Sequence, residues 1–298
     1  MPATFRIPAR GPFSWDASLG MLRSWPPVAH FPIDDGRVRV AFALDHTFAP
    51  AGAVVWTEDG SLAGIASGDD ADAVRRQVAR MFSLDIDATE YPHVGKRDPA
   101  IGRVMKAHPG LRPVLFPSPY EAAVWAILSQ RIAQRHAVRL KAALSDAHGE
   151  TVSVDGARLR VLPSPRRLLK IAALRGVTAE KIERLHEVAR AALAGQLDPD
   201  RLRAIGHDAA TAWLQEIRGI GPFWSAGIYL RACGVTEPFP LDEPRSLRAL
   251  ADAHAMRDVP AGEELRKMVA KLRPFGMWVS VLLRVAANRG TMGRLADD

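Results

Sequence analysis

Cysteine is nearly absent from this sequence, since Cys233 is the only one among 298 residues. A single thiol excludes an internal disulfide, a four-cysteine zinc site and a four-cysteine iron–sulfur cluster. The nine histidines show no HxH or HExxH spacing, which argues against a transition-metal site. The composition therefore predicts a reducing, cytoplasmic setting and no metal held by side chains.

Long apolar runs are missing too, and no stretch of about 18 apolar residues predicts a membrane span. The N-terminal segment lacks the apolar core of a secretory signal, so we expect no export. Acidic residues are the minority charge, because 40 Lys and Arg stand against 33 Asp and Glu and give a net charge of +7. This excess is compatible with a polyanionic partner, since Lys and Arg displace the counterions condensed on phosphates.

Periodicity divides the chain into a mixed first part and a helical remainder. Segments 36–45 and 52–68 show the β-branched alternation of antiparallel strands, and 69–82 shows helical spacing. A Pro- and Gly-rich stretch over 91–119 indicates a domain boundary or a crossover. Beyond Ser118 the pattern predicts almost only helices.

A tight glycine turn separates two predicted helices in LQEIRGIGPFWSAGIYLRA, residues 214–232. Gly219 and Gly221 let the backbone turn sharply and let another backbone approach closely. Pro222 fits the first position of the second helix, whose leading amides would offer a site for a phosphate. An ordinary pair of helices is the alternative, but apolar residues on both sides of the turn favour a helix–hairpin–helix that grips DNA backbone.

Several segments together resemble one family of proteins. From Leu214 to Leu250, the hairpin followed by FPLDEPRSLRAL resembles the helix–hairpin–helix, Gly/Pro-rich loop and aspartate of the DNA glycosylase superfamily. Within it the likeness is greatest to 3-methyladenine DNA glycosylase II, the AlkA type. The likeness covers nearly the whole chain through FSWDASLGML, HPGLRP, YEAAVWAILSQRIA, PSPRRLL and LRPFGMW, in that order.

The resemblance implies an α+β fold with a small antiparallel sheet in an N-terminal domain, residues 1–92, and two mainly α-helical domains. One helical domain comprises 93–117 and 234–298 with the catalytic segment, and the other comprises 118–233 and ends in the helix–hairpin–helix at about 211–232. The active site is expected in the cleft between them, into which the damaged nucleotide rotates out of the duplex.

Aromatic side chains are expected to hold the flipped base, because electron-deficient rings stack well on them. Phe223 and Phe275 match the pocket aromatics of the family, and Trp224 and Trp278 stand beside them. Burial in the core is the alternative for each, as for most aromatic residues. Trp125 is expected in the core.

A carboxylate is expected near the sugar, because scission of the base–sugar bond has an oxocarbenium-like transition state. Aligned without gaps from the hairpin, Glu243 falls on the catalytic aspartate of the family and Asp242 on the acid before it. The run FPLD echoes other superfamily members and favours Asp242. Pro244 shifts the next helix by one residue relative to the family pattern. One of the two acids is therefore expected to cap that helix. We take Asp242 as the catalytic acid and Glu243 as the alternative.

The resemblance also implies which residues meet DNA. Backbone contacts are expected from Arg218, Gly219, Ile220, Gly221 and Phe223, with Arg231 and Arg245 as further candidates for phosphates. Gln130 and Arg131 match a loop that wedges into the duplex, although a solvated helix face is the alternative. The one cofactor implied is a monovalent cation at the hairpin carbonyls.

Phe223 occupies the position where lyase-type relatives carry a nucleophilic lysine. The resemblance therefore implies a monofunctional glycosylase of base-excision repair that hydrolyses the N-glycosidic bond of alkylated purines. The expected partner is double-stranded DNA with damaged bases, and the protein is expected to bind it as a monomer. We expect it at the bacterial nucleoid and expect no membrane partner. A glycosylase for oxidised or deaminated bases, or a non-catalytic DNA-binding protein, stays open.

Overall fold

The computed structural model describes residues 3–290, so the last eight residues of the predicted 234–298 segment, and residues 1 and 2, lie outside the described part. Five antiparallel strands form one sheet in the order β1-β5-β4-β3-β2. They are β1 (Ala3–Pro8), β2 (Ile33–Asp34), β3 (Arg37–Ala43), β4 (Pro50–Glu58) and β5 (Ser61–Ser67). The strands expected from alternation are thus present, and the fold is the predicted α+β arrangement of a small antiparallel sheet and many helices.

Two helices accompany the sheet, and each begins at a side-chain cap. Ser14 accepts a hydrogen bond from the amide of Ala17 at the start of α1 (Trp15–Ser24), and Asp70 caps α2 (Ala71–Met81). Such caps satisfy amides that have no partner within the helix. One face of α2 packs against the sheet and belongs to the main core.

The Pro- and Gly-rich stretch is more ordered than a crossover. It forms α3 (Pro92–Arg97) and α4 (Pro99–Ala107), each with a proline at its first position. Asp98 ends the first helix and caps the second by accepting from the amide of Ile101. An extended segment then leads to α5 (Pro119–Ser129), which is buried on nearly all sides.

A separate β-hairpin lies within the part of the chain for which the sequence predicted almost only helices. That prediction was wrong here. Strands β6 (Glu150–Val154) and β7 (Ala157–Val161) pair across Asp155 and Gly156, both at positive φ. The alternation in VSVDGARLRV and its Asp-Gly turn are the signal that could have found this hairpin. Val152, Val154 and Val161 pack on Ala41 and Val54 of the five-stranded sheet.

The remaining elements are helices. They are α6 (Gln134–His148), α7 (Pro165–Leu168), α8 (Ala179–Leu193), α9 (Pro199–Ile205), α10 (His207–Gln215), α11 (Pro222–Ala232), α12 (Pro244–Ala253), α13 (Gly262–Ala270) and α14 (Gly276–Asn288). Helix α11 packs on α5, while α12 packs on α14. Within residues 3–290, no helix combines the length and apolar character that crossing a membrane requires.

Candidate active site and DNA interface

The turn between α10 and α11 has the geometry that its glycines predict. Gly219 has φ +98°, and a Cβ there would lie 2.8 Å from Cδ of Arg184 and 2.9 Å from Cδ1 of Ile127. Gly221 is the N-cap of α11 and has open space around its Cα. Because no side chain caps this helix and Pro222 has no N–H, the amides of Phe223 and Trp224 have no partner within the helix. Free amides at the start of a helix beside an open turn are the geometry that an anion site requires, and the anion site itself stays a prediction.

The loop after α5 is hydrogen-bonded to this turn. The side-chain amide of Gln130 donates to the carbonyl oxygen of Gly219 at 2.6 Å, and Arg184 Nη1 donates to Gln130 Oε1 at 2.9 Å. Lys181 donates to the carbonyl oxygens of Leu128 and Gln130. The two residues predicted for the wedge loop therefore differ, because Gln130 is turned inward while Arg131 is exposed at φ +57°.

A cleft of about 750 Å³ opens beside the hairpin. Its walls come from the ends of α1 and α5, from α11, from the loop over 237–243 and from α12 and α14. Phe223 and Trp224 stand at the cleft with ring centroids 5.4 Å apart, and Phe223 is 53% exposed. Both predicted pocket aromatics next to the hairpin thus line the cleft.

The other two predicted pocket aromatics do not line it. Phe275 and Trp278 are 3% and 1% exposed and pack together with Tyr91, with ring centroids 5.0 to 5.2 Å apart. The guanidinium of Arg112 lies 5.6 Å from the Trp278 ring. These two residues belong to the core because the start of α14, with Phe275 as its N-cap, packs against α4 and Tyr91.

Trp25 and Trp125 contribute to the cleft instead. Trp125 is 3% exposed, as a core residue would be, yet its edge lines the wall. Trp25 follows α1, and its ring stands edge-on to Phe116 at 4.8 Å. Trp25 was not predicted from the sequence, and no local pattern could have indicated it, since only tertiary packing brings the end of α1 to this cleft.

Both candidate acids line the cleft, but Glu243 is hydrogen-bonded whereas Asp242 is exposed. Oε2 of Glu243 accepts from the amide and the hydroxyl of Ser246, each at 2.6 Å, and lies 3.1 Å from Nη1 of Arg284. Glu243 therefore caps α12, with a side chain that is 16% exposed. Its Oε1 accepts no hydrogen bond from residues 3–290. Asp242 is exposed and forms neither a hydrogen bond nor an ion pair within the same residues.

The remaining charges of the cleft are paired, with one exception. Asp208 contacts Nδ1 of His207 at 2.8 Å, and Glu237 contacts Nε of Arg273 at 3.2 Å. Arg231, a candidate for phosphate contacts, lies inside the cleft instead, because it stands on the side of α11 that faces α5 and the extended segment before it. No carboxylate within residues 3–290 lies at ion-pair distance from its guanidinium.

An open groove of about 900 Å³ joins the hairpin to the cleft. Gly219, Ile220 and Gly221 form one side, and Gln130, Arg131, Arg184, Arg245 and Arg284 add polar and basic side chains. Glu243, Phe223, Trp224 and Trp125 line both the groove and the cleft. Arg218 lies outside this groove, exposed and 3.5 Å from Glu183.

Lysine is missing from the walls of both the groove and the cleft among residues 3–290. The hairpin carbonyls of Ile217 and Gly219 each accept a hydrogen bond, from Ile220 N and from Gln130 Nε2. A carbonyl oxygen has a second lone pair, so a monovalent cation could share these oxygens. That cation stays a prediction.

A small antiparallel sheet, a helical body, and a glycine turn between two helices beside a cleft with a fixed carboxylate are the features that the resemblance to the helix–hairpin–helix DNA glycosylases predicts. The comparison with known proteins agrees with this class. No family model matches the chain. A DNA-3-methyladenine glycosylase of Bacillus subtilis (strain 168) is 25% identical over 213 residues, which are 70% of this chain and 69% of that protein.

Solved structures extend the likeness to the whole fold. A 3-methyladenine DNA glycosylase from Archaeoglobus fulgidus superposes with a TM-score of 0.78 at 20% identity, over 96% of this chain and 98% of the other. An 8-oxoguanine glycosylase/lyase of Clostridium acetobutylicum, in complex with double-stranded DNA, superposes with a TM-score of 0.65 at 14% identity, over 93% of each chain. The resemblance to this superfamily, with the 3-methyladenine type within it, is confirmed, and these findings support a DNA glycosylase of the helix–hairpin–helix type.

Proposed function

We propose that this protein is a monofunctional DNA glycosylase that hydrolyses the N-glycosidic bond of alkylated purines flipped out of duplex DNA. The observation that carries the proposal is the position of Glu243, which lines the aromatic cleft and also the groove beside the hairpin. A single nucleotide could therefore keep its backbone at the hairpin while its base enters the cleft. The Bacillus subtilis relative supports alkylated purines as the substrate class.

Glu243 is the carboxylate best placed for the chemistry. Ser246 and Arg284 hold its Oε2, while Oε1 keeps its acceptor capacity toward the cleft. A pre-positioned carboxylate stabilises a developing positive charge without reorganising, and it can also orient or deprotonate the attacking water. Capping and catalysis are compatible because they use different oxygens. The geometry thus favours Glu243 over Asp242, the acid that the FPLD pattern favoured.

The absence of lysine from both linings supports hydrolysis by water rather than a Schiff-base route. An N-alkylated purine is already cationic and leaves without protonation. Arg131 is the better candidate for the wedge, because Gln130 is hydrogen-bonded to Gly219 and Arg131 is exposed next to it. Backbone contacts at the amides of Phe223 and Trp224 complete the proposed DNA interface.

Release of methylated purines from methylated duplex DNA tests this function. We expect the wild-type protein and Asp242→Asn to release the bases, and Glu243→Gln to lose at least about two orders of magnitude in rate while still binding the duplex. Activity lost only in Asp242→Asn would move the catalytic role to that acid. A wild-type protein that binds the duplex and releases no methylated purine would contradict alkylpurine excision.

A further inference from the structure

Arg231 is a cation inside the cleft, and no carboxylate of residues 3–290 lies at ion-pair distance from it. Its Nη2 donates to the carbonyl oxygen of Val114 at 2.9 Å, and its guanidinium carbon lies 4.1 Å from the centroid of the Trp25 ring. Nε is shielded from solvent and has no hydrogen-bond partner among the described residues. Burial lowers the pKa of Arg231 to about 9, and the charge of Arg284 acts in the same direction.

One donor of this guanidinium stays available to a ligand. Nη1 makes no hydrogen bond within residues 3–290. Unlike Nε, it is not fully shielded from solvent, so it remains open to the cleft. A shielded charge that lacks a counter-ion costs free energy, which a hydrogen-bond acceptor supplied by a ligand would offset. Nη1 can only donate, because a guanidinium has no acceptor.

We infer that Arg231 makes the cleft select bases that carry a carbonyl oxygen at purine C6 over bases that carry an amino group there. The oxygen at C6 of guanine- and hypoxanthine-type bases accepts from Nη1, whereas the amino group of adenine-type bases places a donor against a donor. The aromatic face of Trp25 fixes the guanidinium plane, so the donor direction is set before the base arrives. Within the proposed activity, 7-methylguanine is therefore a better substrate than 3-methyladenine, and free hypoxanthine is a better ligand than free adenine.

This inference rests on the proposed function for its rate measurement, and a binding measurement tests it independently. Free hypoxanthine and adenine differ only along the C6–N1 edge, and calorimetry on the full chain measures their affinities without any chemical step. We expect hypoxanthine to bind at least about tenfold more tightly, the range of a hydrogen bond to a charged group. Arg231→Met keeps an unbranched side chain as long as the arginine stem but removes the guanidinium, and should reduce the ratio to near one. Arg231→Lys should keep part of it.

The rate measurement uses one methylated duplex that contains both 7-methylguanine and 3-methyladenine. Arg231→Met should lower the ratio of 7-methylguanine to 3-methyladenine release about tenfold. Arg190→Met is the matched control, since Arg190 pairs with Glu187 on α8 and lines neither the cleft nor the groove.

Equal binding of hypoxanthine and adenine by the wild-type protein, or binding of neither, overturns the inference whether or not the variants fold. A parallel fall of both release rates in Arg231→Met, at an unchanged ratio, also overturns it and leaves Arg231 a packing residue. If the wild-type protein prefers hypoxanthine, Arg231→Met loses that preference and the wild-type protein releases no methylated purine, the selectivity of Arg231 stands and the proposed alkylpurine excision fails.

Discussion

The side-chain amide of Gln130 and the carbonyl oxygen of Gly219 are 2.6 Å apart and join the end of α5 to the hairpin. Arg184 holds the other end of the same amide at 2.9 Å. The loop that carries Arg131 and the turn that offers backbone amides are thus one structural unit. DNA bound at the turn would meet the wedge residue in a fixed position.

Removal of this link should weaken DNA binding more than catalysis. For Gln130→Ala we expect the affinity for a damaged duplex to fall about fivefold to tenfold, with single-turnover cleavage at saturating protein nearly unchanged. The reason is that one hydrogen bond of about 1 kcal/mol positions the loop but touches no reacting atom. A double-mutant cycle with Arg184→Met checks the coupling, and additive effects would contradict a shared network.

Gly219 should tolerate no side chain, for two separate reasons. Its φ of +98° disfavours any L-residue, and an added Cβ would clash with Arg184 and Ile127. Gly60 has φ +71° and nothing within 4 Å of an added Cβ, so it is a matched control for strain alone. We expect Gly60→Ala to lower the free energy of unfolding by about 1 kcal/mol and leave DNA binding intact. Gly219→Ala should cost more and weaken DNA binding; equal losses of stability would remove the steric argument.

Ser246 should matter for rate rather than for binding. Its hydroxyl donates to Oε2 of Glu243 at 2.6 Å, in addition to the backbone amide that caps the helix. In Ser246→Ala the amide remains, so we expect kcat to fall about threefold to tenfold while KM stays nearly constant. Ser18→Ala is the control, because this buried hydroxyl donates to the backbone carbonyl of Ser14, the N-cap of α1, at 3.2 Å. An unchanged kcat in Ser246→Ala would argue against Glu243 as the catalytic carboxylate.

Stability should depend on pH through Asp98 and His254. The hydrogen bond that His254 Nε2 donates to the Asp98 carboxylate raises the pKa of His254 above 6.5, although burial opposes it. Burial alone would raise the pKa of Asp98, but the hydrogen bond and charge of His254 outweigh it, so this pKa lies below 3.8. The raised histidine stabilises the fold below its unfolded pKa and loses that effect as the pH rises through its folded pKa. The lowered aspartate stabilises above its unfolded pKa and loses that effect as the pH falls through its folded pKa.

The contribution of the pair is therefore largest between about pH 4 and pH 6.5. His254→Gln should lower the free energy of unfolding more at pH 5.5 than at pH 8.5, as denaturant titrations at the two pH values would measure. His93→Gln at the exposed His93–Glu90 pair is the comparison, since exposed pairs contribute little. A loss of equal size at both pH values would show that the protonated form of His254 is not what stabilises the fold.

Local patterns led to the correct prediction at several features built from neighbouring residues. The Gly219–Gly221 turn and the proline start of α11 depend on backbone conformations that short segments impose. The β6–β7 hairpin had an equally local signal in its Asp-Gly turn. It was not predicted because the segments on both sides indicate helices. The sequence also left open which of the neighbouring acids, Asp242 or Glu243, caps α12, and only the geometry of that cap answers it.

The sequence by itself determined the strand and helix types, the hairpin and the family likeness, because these follow from short-range periodicity and from motifs in a fixed order. Only the tertiary structure decided which side chains face the cleft. Phe275 and Trp278 lie in the core, whereas Trp25 and Arg231 line the cleft. The physical reason is that a cleft between helices is lined by faces whose orientation depends on how distant elements pack, and no single segment contains that information.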